Sequence, residues 1–440
     1  MVEVIISVTL LLCGIILTAR LGFFSPQRLV RTLLAPFSGT HKSTRSGISP
    51  FSGLCTALGG CVGTGNIIGV TACITLGGVG SIFWIWLCSF FSLATKYSEV
   101  YLATRVSKES GSGSPMHYIS KYLGKKFMPL AYLWCLLCLL SAVFTGSSVQ
   151  SNAISEAVIS LCPQNAPFTR IRFICGILLA IAIFIILSGG LKRISGFASA
   201  LVPVMCVIYT GACVVCIILS GQNVLTITKN IVTEALTPKA AVSGSITAIF
   251  LRALRLGVSR GIFSNEAGMG TSPLALSSTS SSDPHVQGAM GMWEIVVDTF
   301  IICTATAYLV ICCVPDEILY DASLSPVYMV QYAFSVFFGS HISSVALSVC
   351  IILFAFTSIL GWSYYGSVCA ELLSKKNLMQ RIYSFAFCIM AAAGCLFPLG
   401  LVWDVASTFN MILALPNVYA LLTITRRQKN RLRGSGSLLS

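Results

Sequence analysis

Charged residues are scarce in this chain of 440 residues: they make up 10% of it, against 55% hydrophobic residues. A soluble globular domain carries about 25% charged residues, so the composition excludes that class. Histidine is rarer still, with 4 residues, and none of them lies in a hydrolytic or metal-binding motif. The shortage of charge and of catalytic side chains argues against an enzyme and predicts an all-α polytopic membrane protein.

Two features of the composition, 19 cysteines and a net charge of +14, need a separate explanation. Most cysteines lie inside apolar runs, where a CxxC spacing only places two small apolar side chains on one helix face. The Lys and Arg residues lie mainly in short loops between the apolar runs rather than along one helix face. We therefore predict no zinc or redox centre at the cysteines and no nucleic-acid partner, and we expect a lipid bilayer to surround the chain.

Eleven apolar segments are long enough to cross the roughly 30 Å hydrocarbon core of a bilayer. They cover residues 2–20, 50–76, 80–104, 127–156, 172–190, 197–220, 243–277, 287–313, 343–370, 379–400 and 402–424. With this count, 21 of the 28 Lys and Arg, Lys96 among them, are assigned to one side of the membrane. The positive-inside rule then predicts an outside N-terminus and a cytoplasmic C-terminus. The first segment has no basic residue before it, which favours a retained helix over a secretory signal.

The second segment contains a glycine-rich stretch, residues 59–69, with five glycines in eleven positions. Each glycine costs a helix roughly 1 kcal/mol relative to alanine. In lipid, a broken helix persists only where it is buried in protein or lines a cavity, because its freed backbone groups need partners. The stretch also carries the hydroxyl of Thr64 and the amide of Asn66. It therefore predicts a small-molecule or ion site, and so a transporter.

A second glycine-rich stretch, Asn265–Gly270, interrupts the segment at residues 243–277. Arg252, Arg255 and Arg260 precede it and Glu266 lies within it. Charged residues at membrane depth normally face a cavity or a partner, so we interpret this segment as a second broken helix whose charges stabilise the break or an adjoining vestibule. The alternative for Arg252 and Arg255 is that they only cap a helix that enters from outside.

The ten segments after the first form two sets of five, at residues 50–220 and 243–424, and each set opens with a broken helix. Because five is odd, the two sets have opposite orientations, which is typical of inverted-repeat secondary transporters. In such a site, half-helix N-termini favour a carboxylate and unwound carbonyls bind a cation. We expect residues 1–440 to form one transmembrane domain.

Polar residues on two later segments leave alternatives open. Thr357 and Ser358 either bond back to carbonyls of their own helix or serve as cation ligands beside a broken helix. Glu294 and Asp298 stand four residues apart and share one helix face, which keeps a proton-coupled permease as the alternative function.

Six stretches carry a resemblance to a known family. They are Val62–Gly69, Gly77–Trp84, Ala94–Glu99, Ser264–Gly270, Ile359–Gly366 and Phe409–Asn417. In this order, they resemble the alanine/glycine:cation symporter family across nearly the whole chain. The resemblance implies a LeuT-like fold of ten core helices in two inverted repeats, with one extra N-terminal helix at residues 1–20. It also implies sodium-coupled import of alanine or glycine, with D-alanine included, by a monomer in the bacterial inner membrane.

The resemblance further implies roles for individual residues. The substrate site would consist of Gly63, Thr64, Gly65, Asn66, Gln150, Phe263 and Trp362. The sodium site would consist of the carbonyls of Gly59 and Val62 with the hydroxyls of Thr357 and Ser358. Gln150 and Asn152 would be additional lining of the site, with a plain interhelical hydrogen bond as an equal alternative for each.

Four departures from the family pattern leave the preferred amino acid and the coupling ion open. They are Val79 in place of a proline, Ser407 in place of an aspartate, Met411 in place of a glycine, and the serine-rich stretch at residues 276–282.

Overall fold

Helices make up nearly all of the described chain. The computed structural model describes residues 2–38, 47–110, 113–163, 165–236, 246–281, 283–374, 377–397 and 399–432. Within these ranges, strand-like pairing is limited to one isolated bridge between Ile48 and Thr279.

The first half of the chain contains ten α-helices. They are α1 (Val2–Leu21), α2 (Pro26–Leu34), α3 (Pro50–Cys61), α4 (Val70–Gly77), α5 (Ser81–Ser110), α6 (Pro115–Leu123), α7 (Met128–Ser141), α8 (Gln150–Ile159), α9 (Phe168–Leu187) and α10 (Gly190–Leu219). Short 3₁₀ turns lie at Ala35–Phe37 and Lys125–Phe127.

The second half contains another ten. They are α11 (Val224–Leu236), α12 (Ile246–Asn265), α13 (Ser272–Leu276), α14 (Pro284–Ile295), α15 (Thr304–Cys313), α16 (Asp316–Leu319), α17 (Pro326–Phe338), α18 (Ser340–Leu373), α19 (Asn377–Gly394) and α20 (Leu399–Leu432).

Several helices begin at a residue pair that suits a helix start. Ser49, Asp283 and Ser325 each precede a proline, and each side chain accepts a hydrogen bond from a backbone N–H of the first turn of α3, α14 or α17. A short polar side chain satisfies one of the unpaired amides there, and proline has no amide to satisfy. The sequence therefore marks where these helices begin.

The chain is a multi-pass membrane protein. Among the described residues, seven helical runs are long and apolar enough to cross a bilayer, and the bent pair α3 and Gly65–Gly77 makes an eighth. Large apolar side chains are exposed along α9, where Phe173, Leu178 and Phe184 are 56, 62 and 58% accessible. Such a surface suits lipid, because a water-soluble protein rarely exposes a contiguous apolar face of this size.

Both predicted helix breaks are present. The axes of α3 and of Gly65–Gly77 differ by 54°, and Val62 between them is extended, with φ −76° and ψ 104°. The second break separates α12 from α13. There Glu266 has a φ of +53°, a left-handed conformation that is uncommon for a residue with a side chain, and Gly268 and Gly270 have φ of +94° and +78°.

Three stretches of π-helix accompany the breaks, at Gly65–Gly69, Ala142–Val149 and Val296–Cys303. The second joins α7 to α8 and the third joins α14 to α15, so the predicted segments at 127–156 and 287–313 are each one helical run with a wider turn inside. Such turns are rare and occur frequently at functional sites. The glycine-rich stretch predicted a break where the first of them lies, but none of the three π-helical stretches was predicted as such.

One assignment made from the sequence is wrong. Lys96 was counted among the basic residues on the cytoplasmic side, but it lies within α5 and is fully buried. Its Nζ lies 3.1 Å from Glu294 Oε1, and the side chains of both residues are inaccessible to solvent. A buried charge of this kind is held by a partner of opposite charge and carries no information on membrane orientation.

Candidate functional site

Residues of both breaks line one small cavity. This central cavity has a volume of about 30 Å³. Five of the seven predicted substrate residues line it: Gly63, Gly65, Gln150, Phe263 and Trp362. Cys61, Thr145, Val149, Ser264, Glu266 and Asn410, together with Gly60, complete the lining. The sequence analysis did not select these seven as substrate residues, although Ser264, Glu266 and Asn410 belong to the motifs quoted above.

The other two predicted substrate residues, Thr64 and Asn66, hold the first break in place. Asn66 Oδ1 accepts a hydrogen bond from the Gly63 N–H at 2.9 Å, and its Nδ2 donates to Asp298 Oδ1 at 2.6 Å. Thr64 Oγ1 donates to Gln150 Oε1 at 3.3 Å. Both residues are fully buried, and neither belongs to the lining of the central cavity. Their side chains set the shape of the unwound segment.

Asp298 connects the two broken helices. Its carboxylate accepts hydrogen bonds from Asn66 on the first break, from Ser264 Oγ near the end of α12 at 2.8 Å, and from its neighbour Thr299 at 2.9 Å. The side chain is fully buried. A buried carboxylate is stable only when it is paired or hydrogen-bonded, and these three donors meet that need. The two breaks are therefore fixed relative to each other through one side chain.

Several polar groups of the second break have side-chain partners. Asn417 Nδ2 donates to the Gly268 carbonyl at 2.8 Å, and Trp134 Nε1 donates to the Met269 carbonyl at 2.8 Å. Thr271 Oγ1 donates to the Glu266 carboxylate at 2.7 Å. In a bilayer, an unwound segment persists only with such partners, since water cannot supply them.

Aromatic side chains form two walls of the central cavity. Phe263 comes from α12 and Trp362 from α18, and Trp362 is only 2% accessible. The Trp362 ring packs edge-on against Tyr365 with ring centroids 5.7 Å apart. From α20, Asn410 reaches the cavity and accepts a hydrogen bond from Thr145 Oγ1 at 3.0 Å. These walls favour a small ligand with a compact side chain.

The predicted sodium residues lie beside the first break. Ser358 Oγ donates to the Val62 carbonyl at 3.0 Å, so this hydroxyl and this carbonyl lie side by side. Thr357 Oγ1 donates to the Phe354 carbonyl of its own helix at 3.0 Å, which is the back-bonding alternative for that residue. Gly59 lies against Thr357, because a Cβ added to it would stand 3.3 Å from the Thr357 carbonyl. Gly59 on α3 and Thr357 on α18 thus lie close together, and the hydroxyl of Ser358 lies beside the carbonyl of Val62.

Glu294 and Asp298, the residues behind the proton-coupled alternative, have separate partners. Glu294 Oε1 accepts from Lys96 at 3.1 Å and from Ser272 Oγ at 2.7 Å, and so joins α14 to α5 and to the start of α13. Asp298 contacts the first break and α12 instead.

Asn152, predicted as possible lining of the site, forms interhelical hydrogen bonds. Its Nδ2 donates to the Gly394 and Phe397 carbonyls at 3.0 and 2.8 Å.

A second and larger cavity, which we call the vestibule, has a volume of about 190 Å³. Residues of α1, α4, α12 and α20 line it, among them Ser7, Cys73, Arg260 and Ser407. It shares Phe263 and Asn410 with the central cavity. Arg252 and Arg255, earlier on α12, are exposed and do not belong to this lining, which agrees with the alternative that they cap the helix at the surface.

The chain matches the model of the sodium:alanine symporter family over residues 1–434. It belongs to this family. A sodium/alanine symporter, AgcS of Methanococcus maripaludis, is 33% identical over 428 residues, which cover 95% of this chain and 91% of that protein. A probable sodium/glutamine symporter, GlnT of Bacillus subtilis, is 33% identical and covers 96% and 86%. An uncharacterised transporter of Haemophilus influenzae is 34% identical and covers 94% and 89%.

Two solved transporters share the fold. MhsT in complex with L-phenylalanine superposes with a TM-score of 0.61 at 14% identity, covering 89% of this chain and 97% of that one. A Na⁺-coupled sialic acid symporter superposes with a TM-score of 0.57 at 11% identity, covering 92% and 86%. The LeuT-like architecture expected of this symporter family is therefore present, and the chain is a transporter rather than an enzyme.

Proposed function

We propose that this member of the sodium:alanine symporter family imports a small neutral amino acid, either glycine or alanine with D-alanine included, together with sodium. The observation that carries the proposal is the meeting of the two helix breaks at one cavity, with Ser358 and Val62 side by side at its edge. The name of the relative AgcS, a sodium/alanine symporter, supports the same substrate and ion.

The substrate carboxylate would bind at Gly63 and Gly65, where the helix that continues as α4 begins. The start of a helix presents unpaired N–H groups and a partial positive charge, which together favour a carboxylate. Phe263 and Trp362 would limit the side chain to hydrogen or methyl. Because a cavity of about 30 Å³ suits a water molecule or two, the bound state requires one of these rings to move.

Sodium would bind between α3 and α18, with the Gly59 and Val62 carbonyls and the Thr357 and Ser358 hydroxyls as ligands. Hard cations prefer such oxygens. Val62 is the first residue of the unwound stretch after α3, so an ion held by its carbonyl would also fix the conformation of Gly63 and Gly65. Sodium and substrate would then raise each other's affinity by the same factor, as thermodynamic linkage requires.

The transmembrane arrangement completes the proposal. We infer eleven spans with the N-terminus outside and the C-terminus in the cytoplasm of a bacterium, in two inverted repeats at residues 50–220 and 243–424. The vestibule contacts the N-terminal half of α1 and therefore would face outward. Transport would proceed by rocking or gating of one set of helices against the other around the central cavity, within a single monomer.

The second candidate function is proton-coupled transport, and the position of Asp298 favours it. This buried carboxylate touches both breaks, so a change in its protonation would reach the site directly. An Asp298→Asn variant keeps the shape of the side chain and removes the titratable group.

Uptake into proteoliposomes tests both candidates. Radiolabelled alanine, glycine, serine and glutamine are supplied under a sodium gradient alone, a proton gradient alone, or neither. We expect accumulation of alanine or glycine under the sodium gradient at constant pH. Accumulation under the proton gradient alone, abolished in Asp298→Asn, would replace sodium with protons, and a preference for glutamine would refute the proposed substrate.

A further inference from the structure

A short amphipathic helix, α2, leaves apolar side chains exposed at one end of the bundle. Val30 and Leu34 lie about one turn apart on α2 and are 52 and 51% accessible, and Phe37, just after the helix, is 69% accessible. Arg31, which lies between Val30 and Leu34 in the chain, is exposed as well. We call Val30, Arg31, Leu34 and Phe37 the α2 surface.

The α2 helix lies at the end of the first membrane span. The 20 residues of α1, Val2–Leu21, rise by about 30 Å, which matches the hydrocarbon core of a bilayer. Gly22, with a φ of +76°, ends that helix, and the Phe23 N–H donates to the Thr18 carbonyl at 3.0 Å. Residues 22–25 alone separate the two helices, so α2 is held where α1 leaves the hydrocarbon core.

The other side of α2 is attached to α14. Leu29 and Leu33 pack against the apolar core, and Trp293 Nε1 of α14 donates to the Leu33 carbonyl at 2.8 Å. The Trp293 ring also meets the Phe37 ring edge-on, with the ring centroids 5.5 Å apart. Tryptophan is enriched at membrane–water interfaces, which agrees with this location. These contacts fix the orientation of α2 with its exposed surface outward.

Further basic residues lie at this end of the bundle. Three of them, from two helices, act electrostatically on His285 at the start of α14: Arg28 of α2 with Arg105 and Lys108 of α5. Asp283 adds one negative charge at the same place. Arg31 lies three residues after Arg28, which is about one helical turn. Among these groups positive charge is in excess, so the region around α2 favours an anion.

We propose that the α2 surface binds an anionic phospholipid. The phosphate group would lie at Arg31, and the first carbons of the acyl chains would cover Val30, Leu34 and Phe37. Amphipathic helices rich in basic residues lie in the membrane interface, and basic clusters beside a membrane span attract anionic headgroups. A soluble anion would leave the apolar side chains uncovered, and a zwitterionic lipid would bring no net charge to Arg31.

The proposed lipid site goes beyond the proposed function and does not depend on it. A bound lipid would hold α2 against Trp293, which is the residue before Glu294 on α14. Because a ligand that binds the folded state stabilises it, the same lipid should also raise the unfolding temperature of the chain.

Lipid binding to the full chain in detergent tests the proposal. Native mass spectrometry measures the dissociation constant of the first bound lipid, for phosphatidylglycerol and for phosphatidylcholine with the same acyl chains. We expect the unmodified chain to bind phosphatidylglycerol more tightly. Arg31→Gln should weaken phosphatidylglycerol binding about fivefold, which is the usual contribution of one basic residue near a membrane surface, and leave phosphatidylcholine binding unchanged.

Lys192→Gln is the matched control. Lys192 is exposed on α10, and the positive-inside rule assigns it to the same side of the membrane as Arg31. Both lipid constants should equal those of the unmodified chain. As a second measurement, phosphatidylglycerol should raise the unfolding temperature of the unmodified chain and of Lys192→Gln more than that of Arg31→Gln. Only preparations that elute as a single symmetrical peak are compared.

Three results would overturn the proposed lipid site. The first is equal affinity of the unmodified chain for the two lipids, or an equal loss in Arg31→Gln and Lys192→Gln. The second is displacement of phosphatidylglycerol by glycerol 3-phosphate, which would make the ligand a soluble anion. The third is a doubled mass without lipid that is lost in Arg31→Gln, which would assign the surface to a second copy of the chain. None of these measurements involves an amino acid or sodium, so the proposed function is tested separately.

Discussion

Gly146 and Trp362 lie in direct contact across two helices: a Cβ added to Gly146 would stand 2.1 Å from the Trp362 Cβ. Gly146 belongs to the π-helical stretch Ala142–Val149, and the Trp362 indole forms one wall of the central cavity. A Cβ atom cannot approach another that closely, so a side chain at residue 146 must displace Trp362. This glycine therefore sets how far the indole extends into the site.

We predict that Gly146→Ala narrows the site and shifts selectivity from alanine towards glycine. When two ligands differ by one methyl group, an apolar pocket discriminates between them by about 1–3 kcal/mol, or roughly 10- to 200-fold in specificity. Competition between unlabelled alanine and glycine for uptake measures the ratio directly. As a control, Gly211→Ala lies on α10 where an added Cβ meets nothing within 4 Å, and it should leave the ratio unchanged.

The opposite change at the same wall is Trp362→Ala. Removal of the indole should open the site to larger neutral side chains such as valine and leucine. Loss of the buried indole should also lower the free energy of unfolding by about 3–5 kcal/mol. Uptake by the variant is therefore measured only at a temperature at which the purified protein remains folded, as judged by size-exclusion chromatography. If its selectivity among alanine, valine and leucine equals that of the unmodified chain, Trp362 does not wall the substrate.

The buried pair of Lys96 and Glu294 predicts a stability effect that depends on which partner is removed. Lys96→Met leaves the carboxylate of Glu294 buried without its countercharge, and we expect a loss of about 3–5 kcal/mol. The double variant Lys96→Met, Glu294→Gln removes both charges and should recover most of that loss. Thermal unfolding in detergent measures the stability loss of the single and of the double variant. Equal destabilisation by the two would show that the pair is not coupled.

Sequence alone predicted the two breaks, and the reason is local. Glycines at residues 59–69 and 265–270 weaken the helix wherever the segment lies, so no knowledge of distant contacts is needed. The side-chain roles were harder to predict. Asn66 was expected to line the site, but it hydrogen-bonds to Asp298, which lies 232 residues away in the chain.

Lys96 illustrates the same limit. From the local sequence, a lysine in an apolar segment is easily assigned to the loop that follows it. Its buried partner, Glu294, lies 198 residues further along the chain, so the local pattern does not indicate the ion pair. The π-helical stretches at Ala142–Val149 and Val296–Cys303 have no compositional signal comparable to a run of glycines. Their wider turns depend on packing against neighbouring helices, and the spacing of apolar residues along the sequence does not indicate that packing.

In the proposed mechanism, a sodium ion beside the first break controls substrate binding. Ser358 Oγ and the Val62 carbonyl, 3.0 Å apart, belong to the site proposed for that ion. Ser358→Ala should weaken the effect of sodium on alanine binding. Ser363→Ala provides the matched control, because Ser363 is buried on the same helix but its hydroxyl bonds back to the Leu360 carbonyl at 2.7 Å.

The most direct test is the dissociation constant of alanine, measured at constant pH with and without saturating sodium. For the unmodified chain and for Ser363→Ala, we predict that sodium lowers this constant by about 10-fold or more, within the 5- to 150-fold range of typical coupling. For Ser358→Ala, we predict a change of less than about twofold. Sodium-independent binding in the unmodified chain, or full coupling in Ser358→Ala, would contradict the account.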